Sequence, residues 1–241
     1  NGYHTLSRTT DKARESNQRG SITSVYEYIP VTDVDTADAL QRFGYVKVEA
    51  TSFTISEPVE PLEISPLLYS EATHEQQRIL ESTYRIQPFF IQTIKLERIF
   101  ADKILAAEFY YQRRMLFDTA KHLYDLTIMM EQERIHSLLL SPNELTAMLA
   151  YKRKEERERI GSDLSEKPFS EFTLFDAIGV DSELTAAFLK MQEIYVFSQR
   201  DVLSTAQLSE SITALNQTLL QLDEGLERTQ TAGGDTQQKM L

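Results

Sequence analysis

Two charged residues on neighbouring segments, Lys103 and Asp125, have the types and spacing of a phosphate-handling pair. Lys103 lies within the segment 95–111, where apolar residues recur at the spacing of one buried helix face. Removing an ammonium group from water costs several kcal/mol unless an anion meets it. Lys103 therefore either lays its stem over the core with its amine in solvent, or points into a cleft that receives a phosphate. Because the connector 112–115 is short, the flanking helices are expected to pack antiparallel and to bring Asp125 to Lys103.

The helical segment around Asp125 carries further polar groups at helical spacing. Asp118, Lys121, His122 and Asp125 follow one another at i, i+3, i+4 and i+7, which places them on one side of a helix. One interpretation is a charged outer face, with a Lys121–Asp125 pair that contributes a few tenths of a kcal/mol. The other is that Asp125 faces a cleft, where it steers Lys103 or an incoming nucleotide.

A second lysine–carboxylate pair, Lys47 and Glu49, occurs on the alternating segment 45–53. The alternation predicts a strand whose polar face carries both side chains. A solvated sheet surface is the common outcome of such a pattern. The functional alternative is that Glu49 binds a divalent metal beside a lysine that binds phosphate. One carboxylate is not enough for that role, because Mg²⁺ takes several oxygen ligands and bridges to substrate phosphates.

Strand patterns dominate the first third of the chain, and helix patterns follow them. β-Branched and aromatic residues, or a clean polar–apolar alternation, predict strands at 21–29, 45–53 and 86–94. Three prolines predict an irregular stretch before the last strand: Pro58, Pro61 and Pro66. Apolar residues at helical spacing predict helices near 95–112, 116–132, 142–159, 181–199 and 206–228. The result is an α+β fold, with a sheet portion at 1–94, a helical domain at 95–228 and a polar, disordered tail at 229–241.

Composition excludes several classes of protein. The 241 residues carry a net charge of −12, which argues against general nucleic-acid coating but allows RNA in one local basic cleft. The chain has no cysteine, which removes disulfides, thiolate nucleophiles and cysteine-bound zinc, and which suits the cytoplasm. No apolar run approaches the ~20 residues of a membrane span.

Other segments offer weaker candidates. The four histidines show no metal-ligand spacing, and no P-loop, dinucleotide fingerprint or serine-triad order is present. The segment 152–159 mixes both signs of charge, which predicts a solvated helix face, with an RNA-backbone contact as the alternative. Apolar residues at 194–197 and 215–222 predict helical-bundle core.

Three segments together resemble one known family. IKLERIFADKILAA at 94–107 and KHLYDL at 121–126 resemble the paired motifs of the AbiEii/AbiGii abortive-infection toxins. Those toxins are similar to minimal nucleotidyltransferases of the polymerase-β type. The lysine of the first motif falls on Lys103 and the aspartate of the second on Asp125. YVKVEA at 45–50 resembles the family's strand of valine, lysine, an apolar residue and glutamate. The resemblance covers residues 20–200.

The resemblance implies a fold, a reaction and a set of roles. The fold would be part of a nucleotidyltransferase-type mixed sheet followed by a helical bundle. The reaction would transfer a nucleotide from NTP to RNA, with the 3′ end of tRNA as the expected acceptor, in phage defence in the cytoplasm. Glu49 and two upstream carboxylates would hold Mg²⁺, Lys47 and Lys121 would bind nucleotide, and Lys103 would neutralise the departing pyrophosphate. Asp125 would orient Lys103 or contact the acceptor. A cognate antitoxin would be the protein partner.

Two departures from the family pattern are visible. The family's first motif, a Gly-Ser turn followed by an Asp-x-Asp pair, does not occur in this sequence. Asp33 and Asp35 have the spacing, but they lack the turn, lie in a proline-flanked loop and stand too close to the Glu49 strand. Because the chain begins at Asn1, we expect that motif upstream. The second departure is Lys121, where the family more often has arginine, so bidentate geometry is lost.

A rival interpretation needs no chemistry. The chain would then be a non-catalytic helical binding protein with a degenerate nucleotidyltransferase core, and the helical half would recognise a partner. A third alternative is a fragment whose chemistry has nothing to do with nucleotides.

Overall fold

A computed structural model of the protein describes residues 7–8, 16–18, 21–29, 45–51 and 57–237. The chain divides into two compact units, 1–55 and 56–241. The second unit contains a β-hairpin as well as the helices. The combination of antiparallel sheets with a helical carboxy-terminal region confirms the α+β class.

The first unit contains an antiparallel sheet built around one central strand. Its strands are β1 (Ser7–Arg8), β2 (Ser16–Gln18), β3 (Ser21–Glu27) and β4 (Tyr45–Thr51). β3 pairs with each of the others, and its register with β4 runs from Ser21↔Thr51 to Glu27↔Tyr45. The strands predicted at 21–29 and 45–53 are confirmed. All described pairings are antiparallel, whereas the family resemblance implies a mixed sheet.

The second unit opens with a two-stranded hairpin of β5 (Val59–Ile64) and β6 (Phe89–Ile94). Between the strands lie α1 (Leu67–Ser70), α2 (His74–Ile79) and a π-helical turn (Leu80–Tyr84). The predicted strand at 86–94 is confirmed, but the prediction of an irregular stretch at 58–66 is wrong. Pro61 pairs with Gln92 in the ladder. Proline is tolerated in a strand whose outer edge is open, because its missing N–H can lie on that edge.

Helices make up the rest of the second unit. They are α3 (Leu96–Gln112), α4 (Leu116–Met130), α5 (Glu133–Leu139), α6 (Pro142–Glu155), α7 (Thr173–Ala177), α8 (Ser182–Tyr195) and α9 (Thr205–Gln237). The five predicted helices are all present, and the four short helices α1, α2, α5 and α7 were not predicted. α9 continues past its predicted end near 228, in a segment without the proline that would force a helix to stop. Within the part of the chain that the structure describes, every helix is too short or too polar to cross a lipid bilayer.

One hydrophobic core holds the long helices together. It takes fully buried side chains from α3, α4, α6, α8 and α9, among them Phe100, Leu123, Leu145, Phe188 and Leu215. Burying each such side chain contributes about 1.5–3 kcal/mol relative to leaving it in water. The core fixes the three helices α3, α4 and α8 that carry the candidate site. It also confirms the prediction that the segment 215–222 is bundle core.

A cluster of charged side chains lies inside this bundle, between α3 and α6. Arg98 is fully buried, contacts Asp102, and lies with its Nη2 3.3 Å from Glu155 Oε2. Lys152 Nζ lies 2.6 Å from Glu155 and 2.8 Å from Glu156. The prediction that 152–159 is a solvated face is therefore wrong for Lys152, Glu155 and Glu156, which are buried. They turn inward because each finds an opposite charge within one helical turn or on α3.

Candidate functional site

A tight turn joins α3 to α4 and sets how the two helices meet. Arg114 adopts the left-handed conformation (φ 55°), and the Met115 N–H donates to the Tyr110 carbonyl at 3.0 Å. The Arg114 guanidinium then reaches Asp181 at 2.7 Å, at the start of α8. Asp181 caps α8 by accepting hydrogen bonds from the backbone N–H groups of Glu183 and Leu184. These contacts fix the turn against α8, so that three helices share one corner of the bundle.

Lys103 and Asp125 meet across the α3–α4 hairpin. Lys103 Nζ donates a hydrogen bond to Asp125 Oδ2, which confirms the predicted juxtaposition. The centre of the buried face of α3 runs through Ala101, Ile104 and Leu105, so Lys103 lies at the margin of the apolar stripe rather than in its middle. The Lys103 side chain is 26% exposed and that of Asp125 is 40% exposed, which leaves both open to a ligand.

His122 lies beside this pair, where α3 and α4 pack together. Its ring stacks on Tyr110 with centroids 5.2 Å apart and an interplanar angle of 22°. Burial, followed by the nearby Lys103 ammonium, lowers the pKa of His122 to about 4, so the imidazole is neutral at pH 7. Among the described residues, its buried Nδ1 has no hydrogen-bond partner. The positive charge beside Asp125 therefore comes from Lys103 and not from His122.

Lys121 lies one helical turn before Asp125 on α4, but it pairs with a different carboxylate. Its Nζ lies 3.2 Å from Asp118 Oδ1, so the predicted Lys121–Asp125 pair is wrong and the pair spans three residues instead of four. The ammonium also lies 5.0 Å from the centroid of the Phe117 ring and 5.1 Å from that of Tyr195. Both distances are within the range of cation–π attraction. Lys121 thus stands between two aromatic rings and remains partly exposed.

A cleft of about 600 Å³ separates α4 from the end of α8. Lys121, Tyr124 and Asp125 line it from α4, and Tyr195 and Phe197 line it from the other side. The prediction that 194–197 is bundle core is wrong for the two aromatic residues, since Tyr195 is 44% exposed and Phe197 is 80% exposed. α8 ends at Tyr195, so Phe197 lies beyond the helix and outside its buried face.

An arginine that the sequence did not single out anchors the start of α3. Arg134 of α5 donates to Glu97 with Nε at 2.9 Å, and its Nη1 and Nη2 reach the two carboxylate oxygens of Glu60 at 2.8 and 3.1 Å. Glu97 is in the first turn of α3 and Glu60 is on β5. Arg134 therefore ties the hairpin, α3 and α5 together at the end of the helix that carries Lys103. Its partners are too distant in sequence for any spacing rule to reveal them.

The pair Lys47 and Glu49 lies on β4 in the first unit. The two side chains share one face, as predicted, with Nζ and Oε1 2.7 Å apart, and they are 58% and 62% exposed. Glu49 offers one hard oxygen ligand, and Mg²⁺ needs several. Across residues 7–8, 16–18, 21–29, 45–51 and 57–237, no three histidine or carboxylate side chains are arranged to hold a metal ion. The described residues therefore do not by themselves fit a metal. Asp33 and Asp35 lie outside the described residues.

Comparison with known proteins decides the family. The family model for the nucleotidyl transferase AbiEii toxin of type IV toxin–antitoxin systems matches residues 4–205. This chain belongs to the AbiEii family. The resemblance inferred from the motifs at 94–107 and 121–126 is confirmed. Neither the curated proteins nor the solved structures contain a match to the chain.

Membership of the AbiEii family gives the protein its general class. It is a nucleotidyltransferase-like toxin of a type IV toxin–antitoxin system, with a nucleotide as substrate and an antitoxin as partner. The Lys103–Asp125 pair and the cleft beside it both lie within the matched residues. Positioning and charge are the properties that the sites of enzymes transferring phosphoryl groups supply.

Proposed function

We propose that this AbiEii-family protein transfers a nucleotide from an NTP to an RNA acceptor, which we expect to be the 3′ end of a tRNA. The observation that supports the proposal most is the Lys103–Asp125 pair, because its two charges meet at the margin of a cleft and stay accessible. A lysine held by a single carboxylate in a partly exposed position can change partner when a phosphate arrives. A lysine held only to stabilise the fold has no need of that access.

The transfer forms one bond and breaks one bond at the α-phosphorus of the NTP. The acceptor hydroxyl oxygen attacks phosphorus, the bond to the β-phosphate oxygen breaks, and pyrophosphate leaves with the electron pair. Lys103 neutralises the charge that develops on the departing oxygen. Asp125 holds the Lys103 ammonium through Oδ2. Its Oδ1 accepts the hydrogen bond from the acceptor hydroxyl, orients it, and takes its proton as the new bond to phosphorus forms.

Other groups complete the proposal. Lys47 and Lys121 contribute positive charge that binds phosphate. Mg²⁺ is the proposed cofactor, with Glu49 as one of its ligands. The cognate antitoxin restrains the reaction, which takes place in the cytoplasm, where NTPs and tRNA are found, and serves in abortive infection against phage.

The test is transfer of label from radioactive NTP to tRNA by the full-length protein. We expect Lys103→Ala and Asp125→Ala to lower the rate on the order of 100-fold each, since each removes a group that acts on transition-state charge. The same variants should relieve growth arrest while circular dichroism shows unchanged helix content. Lys190→Ala is the matched control, because Lys190 forms an equally simple ion pair with Glu193 on the exposed face of α8. No label on any RNA in the presence of Mg²⁺ would overturn the proposal.

A role in partner binding without catalysis is the second candidate. Large apolar side chains are exposed on β6 and on α1, the helix between the two hairpin strands, with Phe90 71% and Leu67 76% exposed. Exposed apolar surface of this kind marks interaction sites. If Lys103→Ala arrests growth as strongly as the unchanged protein, while Phe90→Ser does not, this second function is correct and the enzymatic one is not.

A further inference from the structure

The walls of the cleft between α4 and α8 are aromatic where they face solvent. Tyr195 ends α8 with its ring 6.0 Å from Phe117, and Phe197 follows two residues later. The Tyr124 hydroxyl donates to the Asp201 carbonyl at 2.9 Å, which ties the segment after α8 back to α4. The rings are thus held on a braced segment at the mouth of a cavity of about 600 Å³. That volume is in the range of pockets that bind small molecules.

The charges in the cleft are arranged unevenly. Lys121 lies at one wall against the Phe117 and Tyr195 rings, and Asp125 lines the same cavity from one turn further along α4. Asp125 in turn holds Lys103. A ligand that places a flat ring against Tyr195 would therefore present its attached phosphate or sugar towards Lys121 and the Lys103–Asp125 pair. A fatty or purely aliphatic ligand would gain nothing from those charges.

We infer that this cleft binds an unstacked nucleobase, which lies against the Tyr195 ring with Phe197 at its edge. The inference rests on the proposed function, because it places the base next to the pair proposed to act on phosphate. Stacking on an aromatic side chain suits any base, since every base presents a π face. Lys121 contributes a cation beside the ring, where the sugar-phosphate of a nucleotide carries negative charge. The base belongs either to the incoming NTP or to the end of the acceptor RNA.

The experiment measures binding of ligands that differ only in the presence of a base. One arm compares an NTP with ribose 5′-triphosphate, and the other compares a short single-stranded RNA with the same RNA ending in an abasic ribose. Each is titrated against the full-length protein and against Tyr195→Leu, which removes the ring and keeps an apolar side chain. Tyr195→Phe is the conservative variant, and Tyr151→Leu is the matched control, since Tyr151 is an exposed tyrosine on α6.

We expect Tyr195→Leu to weaken binding of the base-bearing ligand by about tenfold or more and to leave the base-free ligand unchanged. Tyr195→Phe should stay within about twofold, because the face of the ring is kept, and Tyr151→Leu should have no effect. Phe197→Leu should give a smaller loss in the same direction and should leave the fold intact, because Phe197 is 80% exposed. The arm in which the loss occurs identifies the base as that of the NTP or that of the RNA.

Two outcomes separate this inference from the proposed function. If Tyr195→Leu binds both base-bearing ligands as tightly as the unchanged protein, the nucleobase site is refuted, even when label transfer remains normal. If no RNA accepts label but base-bearing ligands still bind in a Tyr195-dependent manner, the proposed transfer fails and the nucleobase site stands.

Discussion

α3 carries two ion pairs of different character, five residues apart in the sequence. Arg98 points into the bundle, where it is fully buried among Glu155, Asp102 and the Lys152 pairs. Lys103 holds a single carboxylate from the described part of the chain, at the margin of a cleft. A buried charge without partners costs several kcal/mol, so the interior cluster needs several partners merely to exist. The Lys103 pair remains partly hydrated and needs only one. Accessibility, more than the presence of a charge on a helix, therefore distinguishes an ion pair that can bind a ligand from one that only stabilises the fold.

The largest expected effect comes from breaking the interior cluster. Arg98→Met removes a fully buried cation and leaves Lys152 to face Glu155 and Glu156 alone. We expect it to lower the free energy of unfolding by about 3–5 kcal/mol. Urea denaturation followed by circular dichroism measures the change. The matched control is Arg157→Met, whose exposed pair with Glu166 should contribute less than about 1 kcal/mol. Equal losses in the two variants would contradict the assignment of Arg98 as scaffold.

The same urea denaturation compares the stability lost at Lys103 with the stability lost at Arg98. Lys103→Met should lower the free energy of unfolding by less than about 1 kcal/mol, because its pair is partly exposed and screened by water. Its transfer activity should nevertheless fall on the order of 100-fold. If Lys103→Met lost stability and activity in parallel, Lys103 would stabilise the fold as Arg98 does, and the two ion pairs would not differ in role.

His122 provides the next largest effect, through pH. Its pKa of about 4 in the folded protein lies below the ordinary value of 6.5, so between these two pH values the unfolded chain binds more protons. Stability is therefore fully present above pH 6.5 and falls by about 2–3 kcal/mol at most as the pH drops to 4. His122→Gln should flatten this part of the stability curve. His136→Gln, on an exposed position of α5, should leave the curve as it was.

The part of the site that sequence predicts is the part that depends on local geometry. Lys103 and Asp125 lie equally far from the short connector, because 103 is nine residues before the end of α3 at 112 and 125 is nine residues after the start of α4 at 116. Their meeting therefore follows from spacing alone. The fold class follows in the same way, from alternation in the first third and helical spacing afterwards. The roles of Glu49, Lys47 and Lys121 stay predictions, since the described geometry gives Glu49 and Lys47 only each other as a pair.

The part that sequence misses depends on contacts between distant segments. The Arg134 clamp joins residues 37 and 74 positions apart, and no periodicity reaches that far. Periodicity also fails to say which charged residues of a helix turn inward, as Lys152 shows. The exposure of Phe197 depends on where α8 stops, and an apolar run gives no sign of that end.

Asp181 holds the corner shared by α3, α4 and α8, and its contribution to stability is expected to come from capping α8. Arg114, together with the capped N–H of Leu184, lowers the pKa of Asp181 to about 2. Its contribution is therefore present above the ordinary aspartate pKa near 3.8 and is lost as the pH falls towards 2. Asp181→Ala should cost about 1 kcal/mol at pH 7 through the lost cap. Glu183→Ala, which removes only the exposed partner of Arg114, should cost less, and a reversal of that order would refute the cap as the cause.

The smallest effect concerns the exposed clamp, and it separates anchoring from global stability. Arg134 lowers the pKa of Glu60, so this contact is present at pH 7 and is lost as the pH falls below the ordinary carboxylate range. Glu60→Gln should leave global unfolding almost unchanged, because an exposed ion pair contributes little. It should nevertheless speed hydrogen exchange of the backbone amides in β5 and β6, since the hairpin loses a tie to α5 while Glu97 still holds Arg134. Glu63→Gln on the same strand is the matched control. If both variants open the hairpin equally, loss of charge on β5 is the cause and Arg134 is no anchor.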